Sequence, residues 1–359
     1  MHKILHIAPQ NYAGVPYDFY KMHNACGDKS RLITLHKNQL SFPEDICLDY
    51  PLPNFSLAKK WRKKKVDDVG AVPPTKAPDF KPKNILEQAY FSVTDLLRTA
   101  RVDTVIDKYR LDDYDIIHFD AGLDFYRYPK QAIKWKNEGK KIVCCYYGSD
   151  LRLRGLIPEL DRISDLNITS EFDHLALKID LKYLFYPYDP SELPVRNLRD
   201  DGKILIVHSP TNRKYKGTEL ILSVMEKISK ENNKVEFRLL ENVPRQQVLE
   251  SKSNCDICID QVGGTMGGTG YGKAGIETLA MGIPVITNMT DAYRNWLPEN
   301  PFAVANTADE LYQVLMALIE DRSLRESTGE AGKKWVEKFH GFENVNKRLY
   351  EYYRAAGIV

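Results

Sequence analysis

Residues 263–288 read GGTMGGTGYGKAGIETLAMGIPVITN, a glycine run, a helix-forming segment and a short apolar strand in immediate succession. Six of the ten residues from Gly263 to Gly272 are glycines, more than a tight turn requires. Glycine has no Cβ and accepts positive φ, so such a loop lets the backbone approach a ligand closely. The pattern predicts a helix over roughly Tyr271 to Met281. Starting straight after the glycines, it would aim its free N–H groups and positive dipole end into the same space. That combination suits a phosphate or diphosphate. Lys273 adds a cation in the first turn, and Glu277 follows one turn later on the same face. Gly282 and Pro284 fit a C-cap with a sharp exit into the strand Pro284–Thr287. The plain alternative is a strand–loop–helix connection with no ligand.

The run GYGKAGIETLAMGIPVIT resembles the donor-nucleotide loop and helix of the GT-B glycosyltransferases, specifically the large retaining family that uses nucleotide sugars (group 1, family 4-like). That signature has two glutamates eight positions apart, then a small residue, Gly and Pro-Val. Glu277 takes the second glutamate position, with Gly282, Pro284 and Val285 in register; the first falls on Thr269, a departure from the pattern. The resemblance implies that Thr269, Gly270, Tyr271, Gly272 and Lys273 border the donor and that Glu277 hydrogen-bonds the ribose hydroxyls.

A chain of 359 residues holds two domains of ordinary size. With 43% hydrophobic and 28% charged residues it is globular, and a net charge of +2 argues for no partner through bulk electrostatics. No run of about 18 apolar residues is present, so no transmembrane helix is expected. MHKILHIAPQ reads as a buried strand rather than a signal peptide, and a cytoplasmic location is expected. Cys255 and Cys258 form a CxxC, but neither a second pair nor a nearby His completes a zinc site.

The first half reads as a doubly wound parallel sheet. Strands are expected at Lys3–Ala8, Ser30–Leu35, Tyr114–Phe119, Lys141–Tyr147, Leu166–Thr169 and Tyr183–Tyr186, and a long helix at Asn84–Arg110. Ligands in such folds bind at the carboxyl ends of strands. Gly14 in the first βα loop is the residue that the resemblance places by the donor phosphate or the acceptor. Asp113-Tyr114-Asp115 looks like a metal-binding DxD, but it precedes an apolar strand and reads as a turn. Gly148-Ser149-Asp150 follows the Lys141–Tyr147 strand. The family has a histidine before it that reaches the donor sugar; here the position is Tyr147, a poor general base with a pKa near 10. Asp150 reads either as a sugar or acceptor ligand or as a cap. His118 reads as a core histidine, and Asp120 lies where the resemblance puts the acceptor.

Residues 52–83 are rich in proline and lysine. Lys59–Lys65 sets six cations around Trp61, with Phe55 and Leu57 upstream. A solvated basic segment and peripheral contact with an anionic membrane, at the inner face, both fit. Nucleic acid is not expected, since no base-stacking platform is visible.

Pro187–Pro194 reads as a linker, after which a second array begins. KILIVH (Lys203–His208) is a strand, SPTNRKYKG a loop and Thr218–Lys230 an amphipathic helix. Arg213 and Lys216 fall at the carboxyl end of that strand, where cations suit a diphosphate leaving group. The resemblance assigns them that role, with Lys216-Gly217 matching closely and Arg213 sitting nearer the lysine than usual. Glu241 and Asn242 fall where the family recognises the base. Helices are expected at Pro244–Ser251, Asp309–Glu320, Ser323–Lys338 and Phe342–Tyr353.

The expectation is therefore an α/β chain of GT-B type, with two Rossmann-like doubly wound parallel-sheet domains facing a central cleft: 1–187 for the acceptor, 188–340 for the donor, and a helix within 341–359 crossing back. The expected activity is transfer of a sugar from a nucleoside-diphosphate donor to a glycan or lipid-linked acceptor, without metal or other cofactor and with retained configuration. Tyr147, Asp150, Arg213 and Lys216 are the catalytic candidates. A non-catalytic nucleotide-sugar-binding subunit and a nucleotide-sugar epimerase are the alternatives.

Overall fold

The computed structural model describes residues 1–38, 42–51, 75–82, 84–197, 201–263 and 270–359. Lys59–Lys65 with Phe55 and Leu57, and Thr269, lie outside them. The chain forms two compact units, Met1–Pro187 with Phe342–Val359, and Tyr188–Gly341.

The first unit is a parallel sheet of β1 (Lys3–Ala8), β2 (Lys29–Thr34), β3 (Ile46–Cys47), β4 (Ile116–Asp120), β5 (Lys141–Tyr146), β6 (Leu166–Thr169) and β7 (Lys182–Tyr183). Their order is β3-β2-β1-β4-β5-β6-β7. Helices cover the sheet, so its central strands are buried along their length and read as continuous apolar runs. The chain winds outward from β1 to β3 and then restarts at β4 on the other side of β1. The sheet order thus reverses between β1 and β4, where an open α/β sheet leaves a crevice at its carboxyl edge.

The second unit repeats the plan with β8 (Ile204–His208), β9 (Val235–Leu239), β10 (Ile257–Gln261), β11 (Val285–Thr287) and β12 (Ala303–Val304), ordered β12-β11-β10-β8-β9 and all parallel. Its reversal lies between β8 and β10. The helix Phe342–Ala355 packs against Val15–Ala25 of the first unit and is tied there by Tyr350 to Asp28 (2.5 Å) and Lys141 to the Gly357 carbonyl (2.8 Å).

Two boundaries and one burial pattern differ from the sequence reading in ways that bear on the fold. The strand expected at Tyr183–Tyr186 stops at Tyr183, because its partner β6 ends at Thr169. The helix expected at Tyr271–Met281 runs Lys273–Ala280, because Gly272 is an extended N-cap (φ −114°, ψ −179°). The helix Ile85–Tyr109 forms as its spacing requires, capped by Asn84, yet only Val102, Val105 and Ile106 are buried; Ile85, Leu86, Leu96 and Leu97 stay exposed. The DxD closes the turn into β4. Asp113 pairs with Arg110 (2.8 Å), and the Asp115 carboxylate accepts the Lys3 amide (3.3 Å).

Candidate functional site

In the second unit, β8 ends in His208 and a loop leads to the short helix Arg213–Lys216, which Asn212 caps by accepting the Tyr215 amide. Gly217 then turns through φ +65°, a left-handed conformation that suits glycine, into the helix Thr218–Glu231. His208 fastens this turn from below. Its Nδ1–H donates to the Ile259 carbonyl (2.8 Å) and its Nε2 accepts the Thr218 hydroxyl (2.9 Å). Burial lowers its pKa to about 4, so the ring is neutral at physiological pH.

The turn delivers Lys216 across the reversal point. Its ammonium lies 2.6 Å from Asp260 Oδ1 and 3.2 Å from Gln261 Oε1, both at the end of β10. Asp260 also accepts the Gly272 amide (3.3 Å), and Gln261 donates to the Gly270 carbonyl (2.6 Å). The predicted lysine and the predicted glycine loop thus meet, through two residues that sequence reasoning passed over. A Cβ added at Gly272 would stand 3.8 Å from Lys216 Nζ and 4.0 Å from Asp260 Oδ2, so the ammonium sits directly beside the amino end of the Lys273–Ala280 helix. An ammonium has three N–H donors, and Asp260 and Gln261 engage two. Burial alone would raise the Asp260 carboxyl; the Lys216 ammonium, with Lys252 and the Gly272 amide behind it, outweighs that and holds it below the usual carboxylate range.

Lys252 is buried beneath this helix and donates to the Ala274 carbonyl (3.1 Å). Burial would lower its pKa, but nearby Cys258, Glu277 and Asp260 keep the ammonium protonated and raise it. Glu277 is largely buried and pairs with Arg245 at 2.5 Å. Arg213 and Glu241 also come together, at 2.7 Å, with Glu219 on the other side of the guanidinium at 2.8 Å. Asn242 is exposed in the left-handed region (φ +55°), which asparagine tolerates. The Lys273 ammonium stands 5.7 Å from the Tyr188 ring centroid. Tyr271 turns into an aromatic nest, stacked 4.7 Å from Phe302 and edge-on to Trp335. Gly270 passes so close to Tyr293 that a Cβ would fall 2.3 Å from its ring.

In the first unit the reversal point holds a buried polar cluster. Asp120, ending β4, accepts from His6 Nδ1 (3.0 Å) and from the Tyr147 hydroxyl. Burial, with Asp120 next, pushes the Tyr147 pKa well up, so the phenol stays protonated. His118 hydrogen-bonds Tyr353 of the last helix and, 3.3 Å away, Cys145. It is a core histidine, as its strand position suggests. Asp150 closes its own loop by accepting the amides of Tyr147 (2.9 Å), Gly148 (2.8 Å) and Leu151 (2.8 Å), the cap of its two sequence readings. Gly14 is the left-handed N-cap (φ +76°) of Val15–Ala25, beside the buried Asn11 that ties this loop to Pro43 and Tyr17.

Asp260 and Arg245 had weak sequence signals. Asp260 ends the apolar run CDICID, at the strand edge where an acidic residue needs a partner. Arg245 opens a helix at no marked position, and its match to Glu277 depends on the packing of two helices.

No family model matches the sequence, and no curated protein is similar to it. Solved structures are similar. Anabaena Alr3699/HepE in complex with UDP aligns with a TM-score of 0.56, covering 98% of this chain and 100% of that one at 12% identity. An S. aureus TarM variant in complex with fondaparinux, α-GlcNAc-glycerol and UDP gives 0.58, with 98% and 100% covered at 8% identity. The S. aureus MnaA–UDP structure gives 0.54, with 100% and 98% covered at 10% identity. The likeness is one of fold: this chain is α/β with two parallel-sheet units, of the GT-B class.

Proposed function

We propose that the chain is a glycosyltransferase that moves a sugar from a nucleoside-diphosphate donor to a hydroxyl of a glycan or lipid-linked acceptor. The observation that carries this reading is the meeting of the Lys216 ammonium with the amino end of the Lys273–Ala280 helix at the β8–β10 reversal point. Charge develops on the diphosphate as the bond from the anomeric carbon to its oxygen breaks and the electron pair leaves with that oxygen. A fixed ammonium and helix dipole stabilise that charge more than the ground state. The acceptor oxygen takes the anomeric carbon, and its proton passes to the departing phosphate. Tyr147 stays protonated against Asp120, so it serves as a hydrogen-bond donor and not as the base.

Glu277, held by Arg245, would receive the ribose hydroxyls. Lys216 carries more of the diphosphate charge than Arg213, which two carboxylates already neutralise. These protein cations let the reading proceed without a metal. Retention of configuration follows the family resemblance. Uridine is the base to try first, since HepE and MnaA were solved with UDP.

The test is incubation with UDP-glucose and UDP-N-acetylglucosamine, followed by NMR of the sugar. Release of UDP with transfer of the sugar to water or an added acceptor in the α configuration is expected. A sugar inverted at C2 would replace this reading with an epimerase. Binding with no turnover would leave a non-catalytic subunit.

A further inference from the structure

We infer that the first unit holds an oxyanion subsite built from Arg127 and Arg154, and that the acceptor carries a phosphate or carboxylate that docks there. The acceptor assignment rests on the transferase reading; the anion site itself does not.

The two guanidinium groups lie near one ring. Arg127 Cζ lies 3.3 Å from the Phe80 ring centroid and Arg154 Cζ 5.7 Å from it. A strap holds Phe80 in place. Leu156 donates to the Pro78 carbonyl (2.8 Å), Phe80 to the Leu156 carbonyl (2.6 Å), and Gly155 approaches Pro78 so closely that a Cβ would fall 1.9 Å from its carbonyl oxygen. Arg154 follows the Asp150 loop at the end of β5 and reaches back to the Ala121 carbonyl, just past Asp120 at the end of β4. Arg127 Nη2 donates to the Phe80 carbonyl, while its backbone amide is held by Asp95 at 2.9 Å. Both side chains are therefore anchored at the carboxyl edge of the sheet, where ligands bind in this architecture.

Neither arginine has an ion-pair partner: among the described residues no carboxylate oxygen lies within 4.0 Å of either. The acidic groups facing Arg127 are Glu87, Asp95 and Glu159, and the one facing Arg154 is Asp150, whose oxygens are engaged by three backbone amides. All their protein acceptors are neutral carbonyls. Arg127 Nε is buried without an acceptor, and among the described residues the Nη1 of neither arginine has a hydrogen-bond partner. Two desolvated like charges are unfavourable, and both pKa values move accordingly. Burial, then the neighbouring Arg154, lowers Arg127 to about 10, and burial lowers Arg154. An oxyanion held beside the two guanidinium groups relieves this with charge-assisted hydrogen bonds, and the planar guanidinium suits phosphate and carboxylate.

The test is calorimetric titration of the full chain with inorganic phosphate and with glucuronate at fixed ionic strength. It compares wild type, Lys216→Ala, Arg127→Gln and Arg154→Gln. One anion is expected to bind wild type and Lys216→Ala alike and to lose at least tenfold in affinity in each arginine variant, while UDP binding persists in both. The probe that binds names the acceptor's group. Binding lost in Lys216→Ala but kept in Arg154→Gln would overturn the inference, as would no binding of either probe to wild type. If an arginine variant does not fold, wild type carrying ¹⁵N-arginine replaces it. Two Nε–Hε resonances should shift on adding phosphate, and no shift overturns the site. Loss of UDP binding with the anion site intact counts against the donor reading alone.

Discussion

The Lys216 ammonium sits 2.6 Å from the Asp260 carboxylate, joining the loop after β8 to the end of β10 where the strand order reverses. Asp260 is almost wholly buried, and its other oxygen takes the amide of Gly272, the cap of the helix aimed at the same space. One carboxylate thus sets both the cation and the helix end against which a diphosphate would lie.

Asp260→Asn should cost roughly 3 kcal/mol, the low end for breaking a buried ion pair, because it strands the Lys216 and Lys252 charges. The carboxyl's folded pKa is below 3.8, so its contribution is full above about pH 4 and fades as pH falls through the folded value. Urea unfolding followed by tryptophan fluorescence between pH 2 and 6 should show that loss in wild type, and the variant should lack it. Equal stability at pH 6 would remove Asp260 from its organising role.

Acidification should weaken both units earlier than that. Burial lowers His208 and His174 each to about 4, against an ordinary 6.5. Between these values the unfolded chain binds protons that the folded one does not, so stability is full at pH 7 and falls as pH drops towards 4. Each histidine accounts for roughly 3 kcal/mol of that fall. His208→Gln should remove its share of the slope, and an unchanged slope would show that the ring is not held neutral.

Glu277→Gln separates binding from folding. Its partner Arg245 is 40% exposed, so that pair itself contributes less than about 1 kcal/mol to stability, and the loss of the carboxylate near the buried Lys252 adds to the cost. Losing a charged acceptor for ribose hydroxyls should lower UDP affinity roughly tenfold or more. A large drop in melting temperature with unchanged affinity would assign Glu277 to the fold alone.

Two glycine substitutions should diverge. In Gly270→Ala the methyl would fall 2.3 Å from Tyr293, so a loss of about 1–3 kcal/mol is expected. In Gly272→Ala the methyl meets nothing nearer than Lys216 Nζ at 3.8 Å, so the fold should hold while UDP affinity drops because the phosphate approach is filled. Wild-type affinity in Gly272→Ala, measured by titration, would move the diphosphate elsewhere.

The sheets were legible because both faces of each are covered, which writes strands such as KILHIA and KILIVH as continuous apolar runs. Lys216, Gly272 and Glu277 were legible because they sit at marked punctuation: the loop after a strand end, a glycine run, one turn into the helix that follows it. Asp260 was hidden as the tail of an apolar strand. Arg245 was hidden because its partner is 32 residues away and only packing brings them together. Arg127 and Arg154 carry no local pattern; the strap at Phe80 that gathers them is a tertiary contact. The Ile85–Tyr109 helix taught the opposite lesson, since apolar spacing over Ile85–Leu97 specified a helix but not its burial.

The most direct test is calorimetric titration of UDP into wild type and Lys216→Ala, with EDTA present throughout. Saturable binding to wild type that falls by at least tenfold in the variant, with circular dichroism unchanged, is the expected result. Equal affinity in the two proteins, or no binding to wild type, would contradict a diphosphate site at Lys216.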